Sequence, residues 1–111
     1  MSGEEIEFTS RTIQNVPSPH YTSVYANNVA LALNFFDLSM VFGEMVDIKE
    51  TVLTVEQKVR VTMPPSHAKL FLLLLKLQIE QYEEKFGQIV LPPDVVQPEL
   101  RRILREETNE D

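Results

Sequence analysis

The sequence predicts an α+β domain, a three-stranded antiparallel meander followed by one long helix, over residues 20–90 of the 111-residue chain. Three observations predict it. Bulky side chains alternate with small or polar ones over residues 21–43 and again over 55–63, the pattern of strands that bury one face. The spacing of apolar residues then changes to that of a helix between His67 and Phe86. Pro64-Pro65 and Gly87 bracket that stretch, where proline and glycine mark helix starts and ends.

The first strand is expected from Tyr21 to Phe35, with Tyr21, Tyr25, Val29, Leu31 and Leu33 on a bulky face and Ala26, Ala30 and Ala32 on a small one. Asn34-Phe35-Phe36-Asp37 reads as a turn. Phe36, Leu38, Met40 and Phe42 then alternate with Asp37, Ser39 and Val41, giving a second strand that ends at Gly43. Residues 44–51 mix polarities without a clear period and read as a connecting loop. In the third strand Val55, Val59, Val61 and Met63 alternate with Glu56, Lys58, Arg60 and Thr62, so one face is charged.

The helix carries two apolar faces. At about 100° per residue, Ala68, Phe71, Leu72, Leu75, Ile79, Tyr82 and Phe86 form a stripe along its whole length. Leu70, Leu73, Leu74 and Leu77 form a patch on the opposite side. One sheet buries one side of a helix, so the patch calls for a second partner. Leu70, Leu73, Leu74 and Leu77 are therefore the candidate interface of a homo-oligomer, most simply a two-fold dimer. Two other readings stay open: the C-terminal segment folds back over the patch through Leu100, Ile103 and Leu104, or the patch is a groove for client chains.

Composition narrows the function classes. Residues 1–19 form an acidic segment expected to be flexible; residues 91–111 form another, with three prolines and a short helix expected over 98–106. The folding unit is thus small. A core of that size supplies roughly 3–5 kcal/mol, and small folds make up the difference with disulfides, metals or oligomerisation. The chain has no cysteine, which leaves oligomerisation as the available remedy. The net charge of −7 comes mostly from the ends, with three acids against one arginine before residue 20 and six acids against three arginines after residue 90. An acidic chain without a basic stripe is a poor ligand for nucleic acid and for anionic membranes. The acidic start with no apolar stretch behind it predicts no secretory leader, and Lys76 interrupts the only long apolar run. A cytoplasmic protein is expected.

Few residues suggest chemistry. Asn27-Asn28 lies inside the expected first strand, where asparagine is disfavoured; the pair either binds a ligand or another backbone, or sits at a bulge and satisfies local backbone groups. Asp37 is either a turn residue or a buried acid near Arg60. His67, in the first helical turn, packs locally or takes part in a site. His20 and His67 have no convergent metal-ligand spacing around them, so no metal is expected. No serine stands in a nucleophile elbow, and Gly3, Gly43 and Gly87 are too scattered for a phosphate loop. No cofactor is expected.

Taken in order, Tyr25-Ala-Asn-Asn28, Phe36-Asp-Leu38, Phe42-Gly43, the strand Val59–Met63 running into Pro65-Ser-His-Ala-Lys69, and Tyr82-Glu-Glu-Lys-Phe-Gly87 resemble a group of small prokaryotic proteins known as a domain of unknown function. The resemblance covers roughly residues 21–90. It implies a small soluble cytosolic protein and carries no assigned catalytic residue. At the level of architecture alone, strands followed by a long helix also resemble the tetrameric export chaperone, with its acidic surface and apolar client grooves, without shared motifs. The expected function is a non-enzymatic interaction or adaptor module that self-associates through its long helix and meets a protein partner with its acidic ends. The alternatives are a chaperone-like binder of unfolded chains, and a small enzyme with an intersubunit site around Asn27, Asn28, Asp37 and His67.

Overall fold

The structure, a computed structural model, describes residues 11–92 and 98–108. The elements are β1 (Asn28–Leu33), β2 (Leu38–Lys49), β3 (Val52–Met63), α1 (Pro65–Phe86) and α2 (Pro98–Thr108). The three strands form one sheet in the order β1-β2-β3, each joined to the next by a tight turn. The expected α+β class, an antiparallel meander followed by a long helix, is what the chain adopts. Two compact units are distinguishable: the sheet makes one, and the Asn34–Leu38 turn with the chain from Met63 onward makes the other.

The first strand is shorter than its alternation predicts. Pairing starts at Asn28, because the residues before it are held by other bonds. The Asn27 N–H donates to the Gly43 carbonyl at 3.0 Å, and Asn27 Oδ1 accepts the Met45 N–H at 2.9 Å. The Tyr25 carbonyl accepts the Lys58 ammonium at 3.0 Å. At the other end, the Asn34 N–H donates to the Asp37 carbonyl at 3.0 Å, leaving Phe35-Phe36 as the two-residue turn. Asn34 Oδ1 accepts both the Phe36 and the Asp37 N–H, each at 2.8 Å, an Asx-type turn.

Residues 44–49 correct the expected loop: they are the second half of β2. The third strand likewise begins at Val52, three residues before the alternation becomes visible. The physical reason lies in exposure. β1 reaches β2 only as far as Gly43 and Met45, and residues 45–54 are exposed throughout. A two-stranded ribbon open on both faces has no buried side to impose an alternating pattern. Its turn, Glu50-Thr51, is closed by Glu50 in the left-handed region at φ 51°, as tight hairpins require.

Helix α1 follows the sequence closely. Pro64 is its N-cap and Pro65 the first helical residue, and the His67 and Ala68 N–H groups both donate to the Pro64 carbonyl at 3.0 Å. Lys85 stands in the last turn, favourable against the negative end of the helix. Gly87 stops the helix at φ 100° and ψ 167° while its N–H donates to the Glu83 carbonyl at 3.0 Å. Only glycine adopts that conformation readily. The short C-terminal helix is present as α2, with Arg102 and Glu106 paired at 3.7 Å one turn apart.

Met40, the third residue of β2, is the buried apolar residue of the described chain, at 6% exposure. The register set at the Asn34–Asp37 turn places Leu31 opposite Met40, and the Ser39–Thr62 hydroxyl contact of 2.9 Å aligns β2 with β3. Val29, Leu31, Leu33, Leu38, Met40, Phe42, Val59 and Val61 therefore share one apolar face. Asn28, Ala30, Ala32, Ser39, Val41, Arg60 and Thr62 share the other.

Candidate interaction surface

Two apolar faces of α1 stand open. Leu70, Leu73, Leu74 and Leu77 are 49%, 56%, 52% and 49% exposed. On the opposite stripe Leu72, Leu75, Ile79, Tyr82 and Phe86 are exposed as well. No α1 residue is buried. The helix is 22 residues, about 33 Å, long, so each face offers a straight ridge for a partner helix or strand.

The stripe is also hollowed. Leu72, Leu75, Lys76, Ile79, Glu80 and Glu83 line a cavity of about 230 Å³. Below it, Ile79, Tyr82, Lys85, Phe86 and Ile89 line one of about 470 Å³. The lower hollow is shaped by the chain turning back after Gly87, where the Ile89 N–H donates to Glu83 Oε2 at 2.9 Å. The Tyr82 and Phe86 rings pack at 5.0 Å, one turn apart. Both hollows open to the surface and are mostly apolar.

The polar residues singled out from the sequence are distributed as follows. Asn27 and Asn28 lie in the sheet unit, at the start of β1. The Asn34–Asp37 register, carried back along the strand, sets Asn28 opposite Gly43, yet Asn27 also bonds the Gly43 carbonyl. Two residues thus face one, as at a bulge, and the Asn27 amide is occupied by Met45. Asp37 and His67 lie in the other unit. Asp37 is exposed in the turn, so the alternative of a buried acid beside Arg60 is corrected: a two-residue hairpin tip offers nothing to cover it. His67 is exposed on the first turn of α1, and no hydrogen bond or ion pair among the described residues links it with Asp37.

A polar cluster that sequence spacing did not reveal centres on Lys58. Its ammonium pairs with Glu44 at 2.8 Å, donates to the Tyr25 carbonyl and lies 6.0 Å from the centre of the Tyr25 ring. Lys58 is 33 residues from Tyr25 and 14 from Glu44, so only the folded sheet brings the three together. The cluster ties the chain preceding β1 to β3; its lysine has every donor direction occupied by protein groups except one, and serves as a clasp. Among the described residues no group of three or more histidines, aspartates and glutamates is placed to hold a metal ion. No helix of the described residues is long and apolar enough to cross a membrane.

An antiparallel meander followed by a long helix with exposed apolar residues defines a small α+β domain. The family match agrees with the resemblance noted from the motifs: residues 2–91 match the profile of the family described as "Protein of unknown function (DUF3467)", and the chain belongs to that family. No curated protein and no solved structure shows a significant match to it.

Proposed function

We propose that the chain is a non-catalytic, cytosolic protein-interaction module that self-associates through α1. The observation that carries this reading is the Leu70/Leu73/Leu74/Leu77 patch, about half exposed at every position on the side of the helix opposite the Ala68–Phe86 stripe. Full burial of a leucine contributes about 1.5–3 kcal/mol, so four half-exposed leucines, doubled by two-fold symmetry, supply a large driving force for pairing. The acidic ends, which carry nine of the chain's 17 acids, match in charge a protein partner with a basic surface.

Light scattering coupled to size exclusion, across a dilution series, tests the reading. A stable multiple of 12.8 kDa is expected, and Leu74→Glu with Leu77→Glu lowers that multiple while leaving the circular dichroism spectrum intact. An unchanged mass with an intact fold removes the α1 interface. The two hollows along the other stripe favour a second reading, a chaperone-like binder of unfolded chains, because they stay open when the leucine patch is paired. That reading expects the intact oligomer to bind a hydrophobic dye and to suppress aggregation of a denatured client at stoichiometric ratio. Clear aggregation at that ratio removes it.

A further inference from the structure

We propose that the outer edge of β1 is a second self-association surface, which pairs antiparallel with β1 of another copy of this chain and joins two three-stranded sheets into one six-stranded sheet. It stands independently of the α1 interface. The two edges of the sheet are built differently. β3, at one edge, carries Glu56, Lys58 and Arg60, charges of the kind that keep an edge from pairing. β1, at the other, reads Asn-Val-Ala-Leu-Ala-Leu, with no charge and no proline. An edge without such protection is a template for another strand. Nor does the preceding chain return along it at Tyr25, whose carbonyl is bonded to Lys58 of β3.

The pattern of β1 fits itself. Carried back from the Asn34–Asp37 pair in steps of two, the register turns the N–H and C=O of Ala30 and Ala32 toward β2 and those of Val29, Leu31 and Leu33 outward. In an antiparallel pair centred on Leu31, Val29 meets Leu33 of the second copy, Leu31 meets Leu31, and Leu33 meets Val29. All outward groups are then satisfied, by about six hydrogen bonds. The same centring keeps both bulky faces on one side, so Leu31 and Leu33, now 64% and 73% exposed, gain cross-strand apolar neighbours. Ala30 and Ala32 meet across the small face. A slip by one residue would set leucines of one copy beside alanines of the other and put the two apolar faces on opposite sides.

The test reads mass by light scattering and protection by amide hydrogen exchange, on the full chain. Leu31→Lys sets two like charges directly opposite each other on the symmetry axis, and the position is exposed enough within one chain to accept lysine. The mass is expected to halve relative to wild type. Leu31→Glu does the same, and mixing the two variants restores the wild-type mass by opposite-charge pairing. In the unmutated chain the Val29, Leu31 and Leu33 amides exchange as slowly as those of Ala30 and Ala32. Fast exchange at those three positions, an undiminished mass for Leu31→Lys, or a mixture that stays at half mass each overturns the proposal. The Leu74→Glu/Leu77→Glu protein separates the two interfaces: a dimer there is the edge pair, whereas a monomer removes the edge pair and leaves the α1 interface standing. If Leu31→Lys lowers the mass and Leu74→Glu/Leu77→Glu does not, the edge stands and the α1 interface falls.

Discussion

At the residue scale, two side chains or their absence set the geometry of the sheet. Asn34 takes the place of a backbone acceptor at the β1–β2 turn, where its Oδ1 holds the Phe36 and Asp37 N–H groups at 2.8 Å each. Asn34→Ala removes both bonds at an exposed site, and a loss of about 1–2 kcal/mol in urea unfolding is expected; no change would mean that water replaces the amide without cost. Gly43 reads from the sequence as the end of the second strand, but it lies inside β2 and is buried. A Cβ there would sit 2.6 Å from the Glu56 carbonyl oxygen and 2.8 Å from Val55 Cγ1. The β3 backbone cannot yield as a flexible side chain could, so Gly43→Ala is expected to cost about 1–3 kcal/mol, seen as a lower thermal midpoint. The turn at residues 34–37 was legible because asparagine, aromatic and acidic residues interrupt the alternation. That the bonding falls to Asn34 rather than Asp37, and that Gly43 marks a close approach rather than a stop, depends on partners 3 and 13 residues away along the chain.

At the element scale, legibility follows burial and local chemistry. α1 begins at Pro65 and ends before Gly87 as the two signals predict, because proline and glycine act within a single turn and need no tertiary partner. Gly87→Val puts a β-branched residue at φ 100°, with nothing within 4 Å of the new Cβ to clash. The cost is therefore purely conformational, about 1–3 kcal/mol, and should unwind the last turn of α1, releasing the Ile89–Glu83 bond and flattening the hollow beneath Tyr82 and Phe86. Unaltered amide protection at Gly87-adjacent residues on exchange would contradict this account. The β2–β3 ribbon behaves in the opposite way. Its distal half, Met45–Val52 and beyond, shows no period because neither face is covered, so its strands are set by hydrogen bonding across a turn at Glu50 that the composition does not advertise.

At the scale of the whole molecule, apolar side chains stand exposed on both the sheet and α1. Met40 is the buried apolar residue of the described chain, while Leu31, Leu33, Leu70, Leu73, Leu74 and Leu77 are all close to half exposed or more. Small domains without disulfides meet that condition by assembly, and the two surfaces proposed here, one on α1 and one on β1, predict that mass stays a constant multiple on dilution and falls in two separable steps when each is charged. By itself the sequence determined the fold class, the order of strands and helix, both ends of α1 and the existence of two apolar helix faces, since each rests on local periodicity or on the backbone limits of proline and glycine. Only the tertiary structure decided where β1 begins, that residues 44–49 pair, that Lys58 clasps Glu44 and Tyr25, and which strand edge is left without charge. Those features arise from contacts between residues distant in the chain, and pairing energy across a sheet leaves no periodic mark on either strand unless one of its faces is buried.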